Sequence, residues 1–273
     1  MKFSLFAFAA AAASTVSAGY VRCGVKTPSE AHMDMLNAAA DSGSFSIEAT
    51  RNVKTYVHVV TTAAKKGKYT QSMVNQQIQV MNAAYSPIGV TFTAVSTDFT
   101  TNDAWASASD GSSAEKAMKQ ALKKGTYADL NLYFLSDLGG GLLGFCYFPV
   151  DSPTANDKLL DGCINLADSL PGGTATNYNL GYTAVHETGH WFGLYHVFQG
   201  SACSGSGDYV SDTPLQKTAT SGCPSSQDSC PSQAGKDSIH NYMDYSYDSC
   251  MTEFTSGQVS RAGSLYDQLR AGK

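Results

Sequence analysis

The stretch His186-Glu187-Thr188-Gly189-His190-Trp191-Phe192-Gly193-Leu194-Tyr195-His196 decides how the rest of the chain is read. On an α-helix each residue turns about 100°, so His186 and His190 fall on one face about 40° apart and can aim their imidazoles at a single ion. Glu187 lies one step around, within reach of a water beside that ion. A third ligand at His196 would lie far along and off this face if the helix continued, so the spacing predicts that the helix stops and the chain turns back. Gly193 stands where the turn is needed, because glycine adopts positive φ at little cost. Three neutral imidazoles leave the fourth position of a tetrahedral zinc ion open, which is the arrangement of a catalytic site and not of a closed structural one. Five fixed residues at this spacing arise by chance on the order of 10⁻⁴ in a chain of this length. The expectation is that His186, His190 and His196 ligate zinc and that Glu187 is the general base.

Upstream of this helix, strands and helices alternate. Thr55-Tyr56-Val57-His58-Val59-Val60 reads as a strand. Gln71 to Tyr85 places apolar residues near helical spacing before Pro87 and Gly89, and Val90 to Thr93 returns as a strand. Ser113 to Lys124 reads as a second helix, Leu130 to Leu135 as a third strand, and Leu142 to Val150 as a further strand after three glycines. An α/β layer follows from this order. Downstream, residues from Gly200 to Gln233 are dense in Ser, Gly, Asp, Pro and Cys, which predicts an irregular region. His58, in an alternating strand, and His240 are expected to be structural.

The N-terminus fixes the compartment. Lys2, an apolar run from Phe3 to Ala13 and the small residues Val16-Ser17-Ala18 predict a signal peptide over residues 1–18. The run is far shorter than the roughly 20 residues needed to span a bilayer, so a membrane anchor is not expected and the protein should be secreted. Residues 19–47, poor in β-branched apolar residues and with an amphipathic patch around Glu30 to Ala40, read as a pro-segment, and 48–273 as one catalytic domain. A net charge of −5 without a dense Lys/Arg stripe argues against a nucleic-acid partner. Seven cysteines in an oxidising compartment predict disulfides with one thiol left over.

A second motif lies downstream. In Asn241-Tyr242-Met243-Asp244-Tyr245, Met243 is placed to form an apolar floor below the metal, and Tyr245 to stand beside it as a phenol that hydrogen-bonds an oxyanion; core packing is the competing role for Tyr245. A long zinc motif followed by such a turn is the signature of the metzincins. Together with Gly207-Asp208-Tyr209-Val210-Ser211-Asp212-Thr213-Pro214, these residues resemble the pappalysin family of metzincins, and within it the secreted metalloproteases of fungi, from about Arg22 to Phe254.

The resemblance implies an α+β metzincin. Its α/β upper subdomain would hold a mostly parallel five-stranded sheet and a zinc helix, above a loop-rich, disulfide-tied lower subdomain. It implies a zinc-dependent endopeptidase acting on proteins or peptides as a monomer, with the substrate extended along the sheet's edge strand. Gly141 to Tyr147 is the candidate edge, and a buried strand is the alternative. Val21-Arg22-Cys23-Gly24-Val25 is similar to the cysteine-switch segments of metzincin zymogens, so Cys23 is a candidate zymogen zinc ligand; a free or intermolecular thiol is its other role. The resemblance also suggests Cys203–Cys230 and Cys223–Cys250, which leaves Cys146 and Cys163 for each other. Asp208, Asp212 and Thr213 lie where some relatives bind a structural calcium ion, with capping as the competing role. Asp248 either lines the pocket for the residue after the scissile bond, favouring Lys or Arg there, or is solvated surface. The function expected from another class is a catalytically inactive, zinc-containing peptide-binding protein.

Overall fold

The computed structural model describes residues 19–43 and 50–273, so the expected signal peptide, 1–18, and the expected pro-segment boundary at 47 lie outside the described residues. In chain order the elements are α1 (Glu30–Ser42), β1 (Arg51–Thr61), α2 (Gln71–Tyr85), β2 (Val90–Thr101), α3 (Asp103–Ala106), α4 (Ser113–Leu122), β3 (Leu130–Leu135), β4 (Gly144–Cys146), α5 (Ala155–Leu160), β5 (Cys163–Leu166), α6 (Tyr182–Trp191) and α7 (Ser256–Leu269). The five strands form one sheet in the order β2-β1-β3-β5-β4. All neighbours run parallel except β4, which is antiparallel to β5 at the end of the sheet.

Burial explains the arrangement. β3, Leu-Asn-Leu-Tyr-Phe-Leu, is buried at every position, as a central strand covered on both faces must be. α2 begins at Thr70, whose side chain accepts from the Met73 amide, and buries Val74, Ile78, Met81 and Tyr85 against the sheet. Tyr85 then donates its hydroxyl to the Val185 carbonyl at 2.8 Å, which ties α2 to α6. Asp161 and Arg270, both buried, form a two-pronged ion pair at 2.9 and 3.0 Å that clamps the C-terminal end to the α5–β5 connection.

Beyond α6 the described residues form no strand of their own until α7 closes the chain. With so little regular structure, this region relies on Cys203–Cys230 and Cys223–Cys250, while Cys146–Cys163 joins paired residues of β4 and β5. A closed loop of 27 residues is worth about 3.5 kcal/mol on the chain-entropy model. Cys23 is the free cysteine, and it is buried.

Several boundaries differ from expectation. The strand expected over Leu142 to Val150 shrinks to Gly144–Cys146: Gly140 and Gly141 carry positive φ before it, and Pro149 after it has no amide hydrogen to continue a ladder. β2 runs eight residues past Thr93, along the free edge of the sheet. α3, α5, β5 and α7 have no counterpart in the periodicity. Residues 30–42, which contain the amphipathic patch, form α1 and dock on the rest of the fold: Leu36 is fully buried beside Tyr195, Leu265 and Leu269, and Arg261 donates to Asn37.

Candidate active site

α6 starts at Gly181, held through its carbonyl by the Gln77 amide, and buries every residue from Thr183 to Trp191. It ends as the motif spacing requires. Gly193 has φ 90°, its amide bonds the His190 carbonyl, the Leu194 amide bonds the Gly189 carbonyl, and the chain then returns toward the helix at His196. His190 and His196 bring their Nε2 atoms within 3.1 Å. Under the helix lies Met243: a Cβ on Gly189 would run into its sulfur, so a larger residue there would push the Met243 side chain away.

Each motif histidine on α6 is oriented by its other nitrogen. His186 Nδ1 donates to the Tyr242 carbonyl at 2.7 Å and His190 Nδ1 to the Leu194 carbonyl at 2.8 Å. A carbonyl only accepts, so both rings carry their proton on Nδ1 and present Nε2 as a lone pair. Burial pushes all three imidazoles toward the neutral form, His190 down to about 4, with the neighbouring rings adding to the shift at His186 and His196. Neutral imidazole is the ligating form. His186 Nε2 is buried and has no hydrogen-bond partner.

Cys23 completes the cluster. Its sulfur and one nitrogen from each of His186, His190 and His196 all lie within 4.8 Å of one another. Three nitrogens and a sulfur bonded tetrahedrally to one zinc at ordinary lengths stand about 3.3–3.6 Å apart. Cys23 Sγ is 3.5 Å from His190 Nε2, so the donor set and its spacing fit that metal.

The remaining expected residues surround this cluster. Glu187 is fully buried, its Oε2 accepts from the Cys23 thiol at 3.4 Å, and burial raises its carboxyl well above the usual range, which makes it a stronger base. It packs against β4, where a Cβ on Gly144 would come within 2.8 Å of Glu187 Cγ. The Tyr245 hydroxyl lies 3.3 Å from His196 Nε2 and 3.3 Å from the Cys23 carbonyl, which places it at the cluster and not in the core. Burial and the adjoining Cys23 and Glu187 keep that phenol protonated, hence a donor.

β4 is both an edge and buried, for a reason the sequence did not reveal. Residues 21–24 run alongside β4 and the turn before it: Val21 N bonds Gly141 O, Leu143 N bonds Val21 O, and Gly24 N bonds Gly144 O, at 2.8–2.9 Å. Arg22 then enters a closed pocket. Its guanidinium donates to Asp248 Oδ1 and to the Ser246 carbonyl, both at 2.7 Å, and lies 4.8 Å from the centre of the Tyr178 ring. Asp248 is 1% exposed, which overturns the solvated-surface alternative, and its second oxygen is held by the Leu180 amide. Arg22 was not singled out from the sequence; its place next to Cys23 was the available signal.

The other expected residues lie apart. Asp212 caps α7 through the Thr255 hydroxyl and the Gly257 amide, and Asp208 Oδ1 accepts from the Val210 amide and the Thr213 hydroxyl. Asp208 Oδ2 is buried without a partner. His58 is fully buried between Asp98 and Asn131, and His240 bonds the Cys250 carbonyl, so both are structural as expected.

Comparison with known proteins places the chain among peptidases. The peptidase family described as pregnancy-associated plasma protein-A matches residues 114–267. The chain is 52% identical to an extracellular metalloprotease of Neurospora crassa, over 99% of each chain. It is 49% identical to an extracellular metalloprotease of Pyricularia oryzae, over 100% of this chain and 98% of that one. Mature mirolysin of Tannerella forsythia, solved with a cleaved peptide, superposes with a TM-score of 0.67 at 26% identity, over 82% of this chain and 97% of that chain. A promirolysin variant superposes with a TM-score of 0.72 at 25% identity, over 91% and 96%. The chain belongs to the pappalysin family of metzincins and is a metalloendopeptidase.

Proposed function

We propose that the protein is secreted as a latent zinc endopeptidase that hydrolyses peptide bonds in proteins. His186, His190 and His196 hold the zinc, Glu187 is the general base, Tyr245 is the oxyanion donor, and Cys23 takes the fourth ligand position until residues 19–47 are cut away. The observation that carries this reading is the convergence of three neutral imidazoles, two of them oriented through Nδ1, and one thiol with a basic carboxyl and a phenol at a single buried point. Zinc bound there supplies Lewis acidity, polarising a carbonyl and acidifying water. Glu187 Oε2 faces the place of the Cys23 sulfur, so once that sulfur leaves it takes a proton from a water standing there and returns it to the leaving amine. The Tyr245 hydroxyl donates to the oxygen that gains charge.

Two further facts support latency. The segment that carries Cys23 fills the strand-pairing edge of β4, where an extended substrate would lie. The promirolysin variant also covers more of this chain than the mature form does, 91% against 82%. For secretion, the support is the N-terminal apolar run and the extracellular naming of the relatives; among the described residues no helix is long and apolar enough to cross a membrane. A structural calcium ion has one supporting feature, the unpartnered Asp208 Oδ2 on a carboxyl pushed up to about 7 by burial, while Asp212 is committed to capping.

The Arg22–Asp248 pair supports a substrate preference. In a substrate the residue after the scissile bond takes Arg22's pocket, so Lys or Arg is favoured there. The test is a digest of casein by the protein freed of residues 19–47, with and without phenanthroline. Cleavage should stop with the chelator, return with zinc, and give fragments beginning with Arg or Lys. In Asp248→Asn that preference should fall by on the order of 10²-fold, because a buried arginine without its carboxylate is strongly disfavoured. Cleavage indifferent to the chelator would refute the metal mechanism, and fragment ends without a basic bias would refute the assignment of Asp248.

A further inference from the structure

Arg22 is not the only cation that the N-terminal segment lays along the cleft. On the other side of Cys23, Lys26 places its Nζ 2.5 Å from Asp110 Oδ2, at the wall of a cavity of about 380 Å³. Three carboxylates, Asp110, Asp157 and Asp161, line that cavity together with the aromatic residues Tyr127, Phe145, Tyr147 and Phe148. Two of the acids are committed: Asp161 to the buried Arg270, and Asp157 to the Thr154 cap of α5. Asp110 is not. Its Oδ1 lies 3.0 Å from the Tyr147 hydroxyl, a donor it shares with Glu115, and among the described residues Lys26 is the one cation in ion-pair contact with it. The nearby Lys119 is fully buried and paired with Glu115 at 2.8 Å. Lys26 and His32, the basic residues of the cavity wall, both belong to the segment that departs on activation.

Once residues 19–47 leave, the cavity keeps its acids and aromatics and loses its basic residues. Asp110 then stands part-exposed beside the Tyr147 hydroxyl, with Phe145 and Cys146 of β4 in the same cavity wall and the Gly144 carbonyl, next along that strand, released by the Gly24 amide. Main-chain pairing beside a side-chain pocket is how a strand-adding peptide is recognised. Lys26 reaches Asp110 from solvent, its side chain 81% exposed, as the lysine of an extended substrate would. Arg22 and Lys26 are four residues apart with Cys23 between them, so the two acidic positions flank the metal cluster.

We propose that this cavity is a second basic-residue subsite, in which Asp110 receives a Lys or Arg side chain lying two to four residues before the scissile bond. The proposal rests on the reading above, in which Asp248 receives the residue after that bond. The preferred substrates are then segments with a basic residue on each side of the cut.

The test uses the activated protein and peptides with Arg fixed after the scissile bond and Lys, norleucine or Glu placed at the second, third or fourth residue before it. At one of these positions Lys should raise kcat/KM over norleucine about two- to fivefold, the upper end for a part-exposed ion pair being about fivefold. That ratio should fall to about one in Asp110→Asn, and Asp110→Lys should reverse it to favour Glu. Wild-type protein that cuts before Arg but treats Lys and norleucine alike at all three positions would overturn the proposal, as would a Lys advantage that survives in both variants. No cleavage before Arg at all would overturn the proposal and the reading it rests on.

Discussion

In Glu187→Ala, turnover of casein and of peptides falls by about 10²–10⁴-fold, the usual contribution of a positioned general base, while the bound zinc remains. The reason is geometric. Glu187 does not belong to the donor set of Cys23, His186, His190 and His196, so removing it leaves that set intact. What is lost is the basic oxygen 3.4 Å from the Cys23 sulfur, the group closest to where an attacking water must stand. Steady-state kinetics together with metal analysis of the same sample check this. A variant with normal zinc content and wild-type turnover would show that another group moves the proton.

In Cys23→Ala, the chain with its N-terminal segment still attached gains activity toward a small peptide, on the order of 10²-fold over the equally intact wild type. The segment is held by the sulfur at the metal cluster, by Arg22 in the Asp248 pocket and by strand pairing to β4, and α1 anchors it further through Leu36. Losing one partner of a buried ion pair costs about 3–5 kcal/mol, so Arg22→Ala should add to the effect of Cys23→Ala, since it loosens a separate contact of the same segment. Initial rates measured before the segment is cut are the check. If the intact Cys23→Ala chain is as inactive as the wild type, latency resides in the strand pairing and Arg22, and not in the thiol.

What the sequence reveals, and what it hides, follows from distance along the chain. The motif helix α6 is legible because its three histidines lie within one turn and one reversal, and local geometry fixes both. α2 is legible for the same reason, from one amphipathic face ending at Pro87 and Gly89. β5 was missed because four residues between Gly162 and Ala167 are too few to show a period. α7 was missed because Gly257, Gly263 and several serines lower its intrinsic preference; its Thr255–Gln258 capping box and its burial against the core make it a helix. β4 was overextended because an apolar run cannot show where neighbouring glycines bend the chain.

At the candidate site, the residue types were legible and their couplings were not. Asp248 was singled out, but its partner lies 226 residues away, and no pattern joins Arg22 to it. The burial of β4 is of the same kind, since the edge is covered by a segment from the other end of the chain. Asp212 had two roles open by residue type, calcium ligation and capping, and in the fold it bonds the first turn of α7.

The most direct test of the account is X-ray absorption spectroscopy at the zinc edge on the intact chain and on the chain freed of residues 19–47. The account predicts one zinc per intact chain with three nitrogen neighbours at about 2.0–2.1 Å and one sulfur at about 2.3 Å, the sulfur being replaced by oxygen after cleavage. A sulfur-free first shell in the intact chain, or a shell with fewer than three imidazoles in either form, would contradict it.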